Sequence, residues 1–185
     1  MHILPAGLWS VIAPLQLSPS FRAKHRTAHR RLGRLFMSMS ISMSFGLVFI
    51  IRNTYGGKSV VSGAVMLAGG GYFLVAGLLA VRHARNKRIA DHRVWMLRHV
   101  AMGYTVHMLR LIGPTTWWIF PGVVPGYTDL THEGEHLRYL VFTAYFIIGA
   151  FLTVVPMEVW LRHTSSSGKV LREGQERDIP AKKAE

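Results

Sequence analysis

Long apolar runs separated by short connections constrain this chain more than any other feature. Leu35–Ile51, Val60–Val81, Val94–Ile112 and Tyr139–Val155 are built mostly of apolar and small residues. Each is close to the roughly 17–25 residues that a helix needs to cross a bilayer. A chain of 185 residues offers no soluble core able to hide four of them. Charged residues make up 17% of the sequence, below the ~25% of soluble domains. The expected fold is all-α: a polytopic transmembrane helical bundle of about five spans. It should occupy residues 1–163, with 164–185 as a polar, disordered cytoplasmic tail.

The remaining span is Ile3–Leu17. As a helix it covers about 22 Å of the ~30 Å hydrocarbon core, so it is expected to be short or partial. It is a poor secretory leader: it lacks a basic start, contains Pro5 and Pro14, and runs into a basic connection. The last span is set at Leu137–Leu161. Turn-forming residues separate the spans at Ser18-Pro19-Ser20, at Gly56-Gly57 and across the Pro114 to Gly126 stretch.

Lysine and arginine orient the bundle. Six fall in Ser20–Arg34, six in Arg82–His99 and six from Arg162 onward. Only Arg52 and Lys58 lie in one intervening connection, and Arg110 and Arg138 border the other. Under the positive-inside rule the three basic regions are cytoplasmic and the N-terminus lies outside. The net charge of +13 is thus read as a topology signal that attracts anionic lipid headgroups, with no nucleic-acid partner expected. Trp117, Trp118 and Tyr127 suit one membrane interface and Trp160 the other.

Small residues should mediate the helix contacts. The alternating Met37–Ser44 imitates a strand, but an open strand cannot sit in lipid. As a helix it pairs Ser38 with Ser42, Ser40 with Ser44 and Ser42 with Gly46. Gly63, Gly69, Gly70, Gly71 and Gly77 allow close approach on the next span. The triple glycine has neither a GxGxxG nor a GxxxxGK context, so packing is preferred to a phosphate loop.

The Val94–Ile112 span and its basic flank carry the most informative pattern. At 100° per residue, His92, His99, Gly103, His107 and Arg110 share an arc of about 80°. Ionisable groups inside a span are costly and face the protein interior or water, so this stripe should point into the bundle. One reading is interfacial anchoring, with Arg110 snorkelling. The other is a b-type haem site, since iron accepts imidazole and a glycine on the same face leaves room for a porphyrin. His92 and His107 lie about 22 Å apart along a helix, enough for one haem near each leaflet. His29 or His25 would be the inner partner and His2 the outer one, and His99 joins the candidate ligands.

At the basic side, His29, Arg30, Arg34, His92, Arg93 and Arg98 come from two connections and are expected to converge. Asp91 and Glu158 are the only nearby carboxylates. One reading is a site for an anionic partner: a lipid headgroup, a phosphate-bearing ligand or a haem propionate. The other is a solvated basic loop. Glu158 is expected to neutralise Arg93, Arg98 or another basic residue. His132-Glu133-Gly134-Glu135-His136 matches HExxH, which needs two histidines one turn apart on a helix with glutamate as base. Its central glycine and lack of an obvious third ligand favour an acidic helix start and no metal. The absence of cysteine excludes disulfides, thiolate catalysis, zinc–thiolate sites and covalently attached c-type haem.

Three segments resemble a family of integral membrane proteins, domain of unknown function 2306. APLQL at Ala13–Leu17 is similar to its GPLQF-type segment, and HRRLGRLF at His29–Phe36 to its HRWLGR-type motif. DHRVWMLRHVAMGYTVHMLRL at Asp91–Leu111 looks like its HRRWMIR…LR stretch and matches best, with a fainter echo at Val154–Glu158. The resemblance marks His2, Gln16, His29, Gly33, Arg34, His92, Arg93, Trp95, Met96, Arg98 and Arg110. His99 and His107 fall where the pattern asks for no histidine. Family members often have another span before Ile3, which implies a truncated or short form here.

The resemblance supports a fold and names no reaction. The leading reading is a multi-pass membrane protein with a basic cytoplasmic face and a His/Arg-lined intramembrane stripe. The alternatives are a haem-binding electron-transfer protein and a non-catalytic membrane or assembly partner.

Overall fold

The computed structural model describes residues 3–55, 59–112, 114–123, 125, 128 and 131–177. They form helices α1 (Ile3–Leu17), α2 (Pro19–Lys24), α3 (Arg26–Ile50), α4 (Val60–Arg85), α5 (Ile89–Ile112), α6 (Pro114–Val123) and α7 (His132–Arg177). A π-helical segment, Ile51–Tyr55, extends α3.

The long helices follow the apolar runs and overshoot them at their basic flanks. The expected Leu35–Ile51 becomes Arg26–Ile50, and Val60–Val81 becomes Val60–Arg85. Arginine is a good helix former and needs no burial, so a helix can continue past the apolar stretch. Ser18 caps α2 by accepting the Phe21 N–H at 3.3 Å, and Pro19 sits where a missing N–H is harmless.

One expected connection is corrected. The proline-bearing stretch after Pro114 was read as turn, but α6 covers Pro114–Val123. Pro114 stands at its first position, where helices accept proline. α7 runs from His132 to Arg177. Gly56 and Gly57 lie outside the described residues.

Successive long helices run antiparallel. Across α1–α3, Trp9 meets Ser40 and Gln16 approaches Gly33. Across α3–α4, Met37 lies against Gly77. Across α4–α5, Ala80 meets His92 and Phe73 meets His99. Across α5–α7, Arg98 meets Glu158 and Thr105 meets Thr153. α1, α4 and α7 therefore finish, and α3 and α5 begin, on one side, called here the basic end.

Apolar surface in lipid faces outward as readily as inward, and the bundle shows it. Three helical stretches, Arg26–Asn53, Val60–Arg85 and His132–Thr164, are long and apolar enough to cross a membrane. Phe45, Phe49, Val60 and Phe151 are among their exposed residues. α5 is equally long, yet carries Asp91, Arg93, Arg98, His99 and His107. It packs against both α4 and α7 and touches α1, so His99 is buried and Arg98 and His107 are partly buried, whereas Arg93 is exposed. α1 turns Leu4, Leu8, Val11 and Leu15 outward and Trp9, Ile12, Ala13 and Gln16 inward.

Among the serine pairs, Ser40 and Ser44 face the interior, whereas Ser38 and Ser42 are exposed. This narrows the expected contacts to one of the three pairs. Hydrophobic burial gives little drive between helices in lipid. Close packing and interhelical hydrogen bonds hold them instead.

Candidate functional site

His99 is the centre of a closed polar lattice. It is fully buried, and its Nδ1 donates to the Phe73 carbonyl at 2.8 Å. A carbonyl only accepts, so in the neutral ring the proton sits on Nδ1 and Nε2 is an acceptor. That Nε2 lies 3.0 Å from Ser40 Oγ, which accepts the Trp9 indole N–H at 2.9 Å and lies 3.0 Å from the Phe36 carbonyl, so its one proton is shared between that carbonyl and the imidazole. Phe73 stacks on the imidazole at 4.1 Å, and Phe36 and Trp9 meet it edge-on. Gly77 makes room for it: a Cβ there would sit 2.8 Å from His99 Nδ1. Both ring nitrogens are satisfied by protein.

One step further along α5, the packing opens. A cavity of about 410 Å³ lies between α1, α3, α4, α5 and α7, in the half of the bundle away from the basic end. Its walls are mostly apolar, with Met43, Met66, Met102 and Phe146 among them. Gly103 also lines it and lets the tip of the Trp9 ring approach α5, where any Cβ would collide with the indole. Ser10 and His107 supply polarity.

The hydrogen bonds at this polar corner assign a tautomer. Ser10 Oγ is 2.7 Å from the Ala6 carbonyl and 2.7 Å from His107 Nε2. A hydroxyl has one proton. Both short contacts are hydrogen bonds only if Ser10 donates to the carbonyl and His107 Nε2–H donates to Ser10. His107 Nδ1 is then a bare acceptor. It is buried and has no partner. Tyr104 braces the corner by donating to the Ser10 carbonyl at 3.2 Å, with its ring 4.9 Å from the imidazole.

The basic end is partly neutralised. Glu158 accepts a two-pronged bond from Arg98, at 2.5 Å from Nε and 3.0 Å from the terminal nitrogen. The expected partner of Glu158 is therefore Arg98, which also lies over Trp95. Arg93 lies over Trp160. Asp91 pairs with Arg88 at 2.9 Å. Arg30 and Arg34 are exposed. His92 Nδ1 donates to the Ala80 carbonyl at 2.9 Å. His29 Nδ1 and Gln16 Nε2 are buried without a partner.

Of the six expected basic-end residues, Arg93 and Arg98 turn toward α7, whereas His29 and His92 lie within electrostatic reach of each other. His2 and the side chain of Arg110 lie outside the described residues. His132–His136 forms the first turn of α7, and Glu135 accepts from the Tyr139 hydroxyl at 3.1 Å.

The haem reading finds no support in this arrangement. His99 has no free nitrogen, and its ring face is covered by Phe73. His107 Nε2 is committed to Ser10, and no second histidine is among the residues lining the cavity beside it. Sequence reasoning missed Trp9, Ser10 and the Thr105–Thr153 bond at 3.0 Å. Only the tryptophan and serine in a short apolar helix could have drawn attention to α1.

No curated protein and no solved structure matches the chain. Residues 1–147 match the family described as "Predicted membrane protein (DUF2306)". This stretch holds every long helix except the end of α7, and it includes Gln16, His29, His92 and Arg98. With its apolar helices and this match, the chain is a helical membrane protein and belongs to the DUF2306 family.

Proposed function

We propose that this protein binds a small, mostly apolar molecule inside the membrane and holds it through a hydroxyl that donates to His107 Nδ1. The observation that carries the reading is that His107, whose buried Nδ1 has no partner, is among the residues lining a largely apolar cavity. Ligand pockets of about 300–1,000 Å³ with few polar groups are the usual form of a small-molecule site. A cavity of about 410 Å³ falls in that range.

A buried acceptor left unpaired costs about 1–3 kcal/mol. A ligand hydroxyl would recover much of that, whereas a purely apolar ligand would not. Methionines on three helices suit an irregular apolar body. The ligand class is therefore a protic lipophile: a phenol, a quinol head or a long-chain alcohol. His107 donates to Ser10 through Nε2 and so is no base for that hydroxyl, and the residues lining the cavity include no carboxylate. Binding, carrying or sensing is favoured over hydrolysis.

The test is extraction of the full-length protein from its native membrane, followed by mass spectrometry of the bound lipophiles. A hydroxyl-bearing lipophile should accompany the wild type in near-stoichiometric amount and be lost in His107→Phe. Equal retention by the variant, or no such molecule in either, would overturn the reading.

A further inference from the structure

We propose a second site at the basic end, where Gln16, His29 and Arg22 bind a phosphate group. It is independent of the cavity, which lies in the other half of the bundle.

Two buried side-chain nitrogens at this end have nothing to bond. Gln16 is 7% exposed, and its Nε2 has no partner. Its other amide atom faces Gly33: a Cβ there would lie 3.5 Å from Oε1. The side chain is thus held between α1 and α3. His29 is one turn before Gly33 on α3, and its Nδ1 is also buried and unpartnered. Arg22 and His92 are within electrostatic reach of His29. Buried polar groups in proteins are normally hydrogen-bonded, so two unsatisfied groups on adjoining turns of α1 and α3 call for an occupant.

The occupant must be an anion with several acceptor oxygens. Two carboxylates at this end are already used, Glu158 by Arg98 and Asp91 by Arg88. Arg22, Arg26, Arg30 and Arg34 surround the N-terminal part of α3, and no described carboxylate pairs with them. Amide N–H, imidazole and guanidinium together form a donor set, which matches phosphate oxygens. A monovalent inorganic anion such as chloride would satisfy charge but leave the separated donors unbridged. The phosphate can belong to a lipid headgroup or be free in solution.

The test is native mass spectrometry of the full-length protein in micelles containing equal phosphatidylglycerol and phosphatidylcholine. The wild type should retain phosphatidylglycerol selectively. Gln16→Leu and Arg22→Gln should each lower its occupancy by roughly tenfold. Arg162→Gln removes a charge from α7 at the same end and should leave occupancy unchanged. Gln16→Leu also removes an orphan donor at similar volume, so its melting temperature should hold or rise while binding falls. A melting temperature that drops with binding would mean a structural role and overturn the site. Equal losses from Arg22→Gln and Arg162→Gln would reduce the face to diffuse positive charge, which also overturns it. Displacement by millimolar inorganic phosphate would assign the site to the free ion, and retention would assign it to the lipid headgroup.

Discussion

His99 and His107 sit on one face of α5, eight residues apart, or about 12 Å along the axis. They are the same side chain in the same helix, yet their surroundings differ completely. His99 has a carbonyl, a serine and three aromatic rings around it, and no nitrogen to spare. His107 has one serine and an open acceptor beside a cavity. The hydrogen bonds assign them opposite tautomers, Nδ1–H for His99 and Nε2–H for His107. A histidine inside a membrane bundle is therefore not a functional marker by itself. What distinguishes the two is whether the protein completes the hydrogen-bonding capacity of the ring.

The largest expected effect comes from breaking the closed member of the pair. His99→Ala should destabilise the protein by about 3–5 kcal/mol, through a cavity among aromatic rings and the lost bonds to Phe73 and Ser40. His107→Phe should cost less than about 1 kcal/mol, because it removes an unpaired acceptor and fills apolar space. Both are measurable by reversible unfolding in mixed micelles. Similar losses at the two positions would erase the contrast.

A smaller effect sharpens the comparison. Ser10→Ala removes the acceptor that fixes the proton on His107 Nε2. Stability should fall by about 1 kcal/mol or less. The imidazole can then place its proton on Nδ1, so the preference for a donating ligand should shrink. Unchanged preference in Ser10→Ala would break the link between tautomer and specificity.

Much of the fold was legible in the sequence. The bounds of α1 matched Ile3–Leu17, and the apolar runs located the other long helices. Of the expected stripe on α5, His99 is buried and His92 and His107 are partly buried, because imidazole avoids lipid whatever its neighbours, and the Arg110 side chain lies outside the described residues. The neighbours themselves were not legible. In a soluble protein an apolar stripe marks the inside, but in lipid Leu8 faces out and Trp9 faces in on the same apolar helix. No periodicity distinguishes them. The role of α1 was missed for that reason, and the Trp9–Ser40–His99 lattice with it. Gln16 was marked only by the family motif, since one glutamine near a helix end carries no physical signal alone.

The central claim is that His107 Nδ1 awaits a donor. The most direct measurement compares the affinity of the purified protein for a long-chain para-alkylphenol and for its methyl ether. The two have nearly the same shape and apolar surface, and only the phenol can donate. The phenol should bind more tightly by roughly tenfold, the worth of one buried hydrogen bond made rather than left open. Equal affinities, or tighter binding of the ether, would contradict the account.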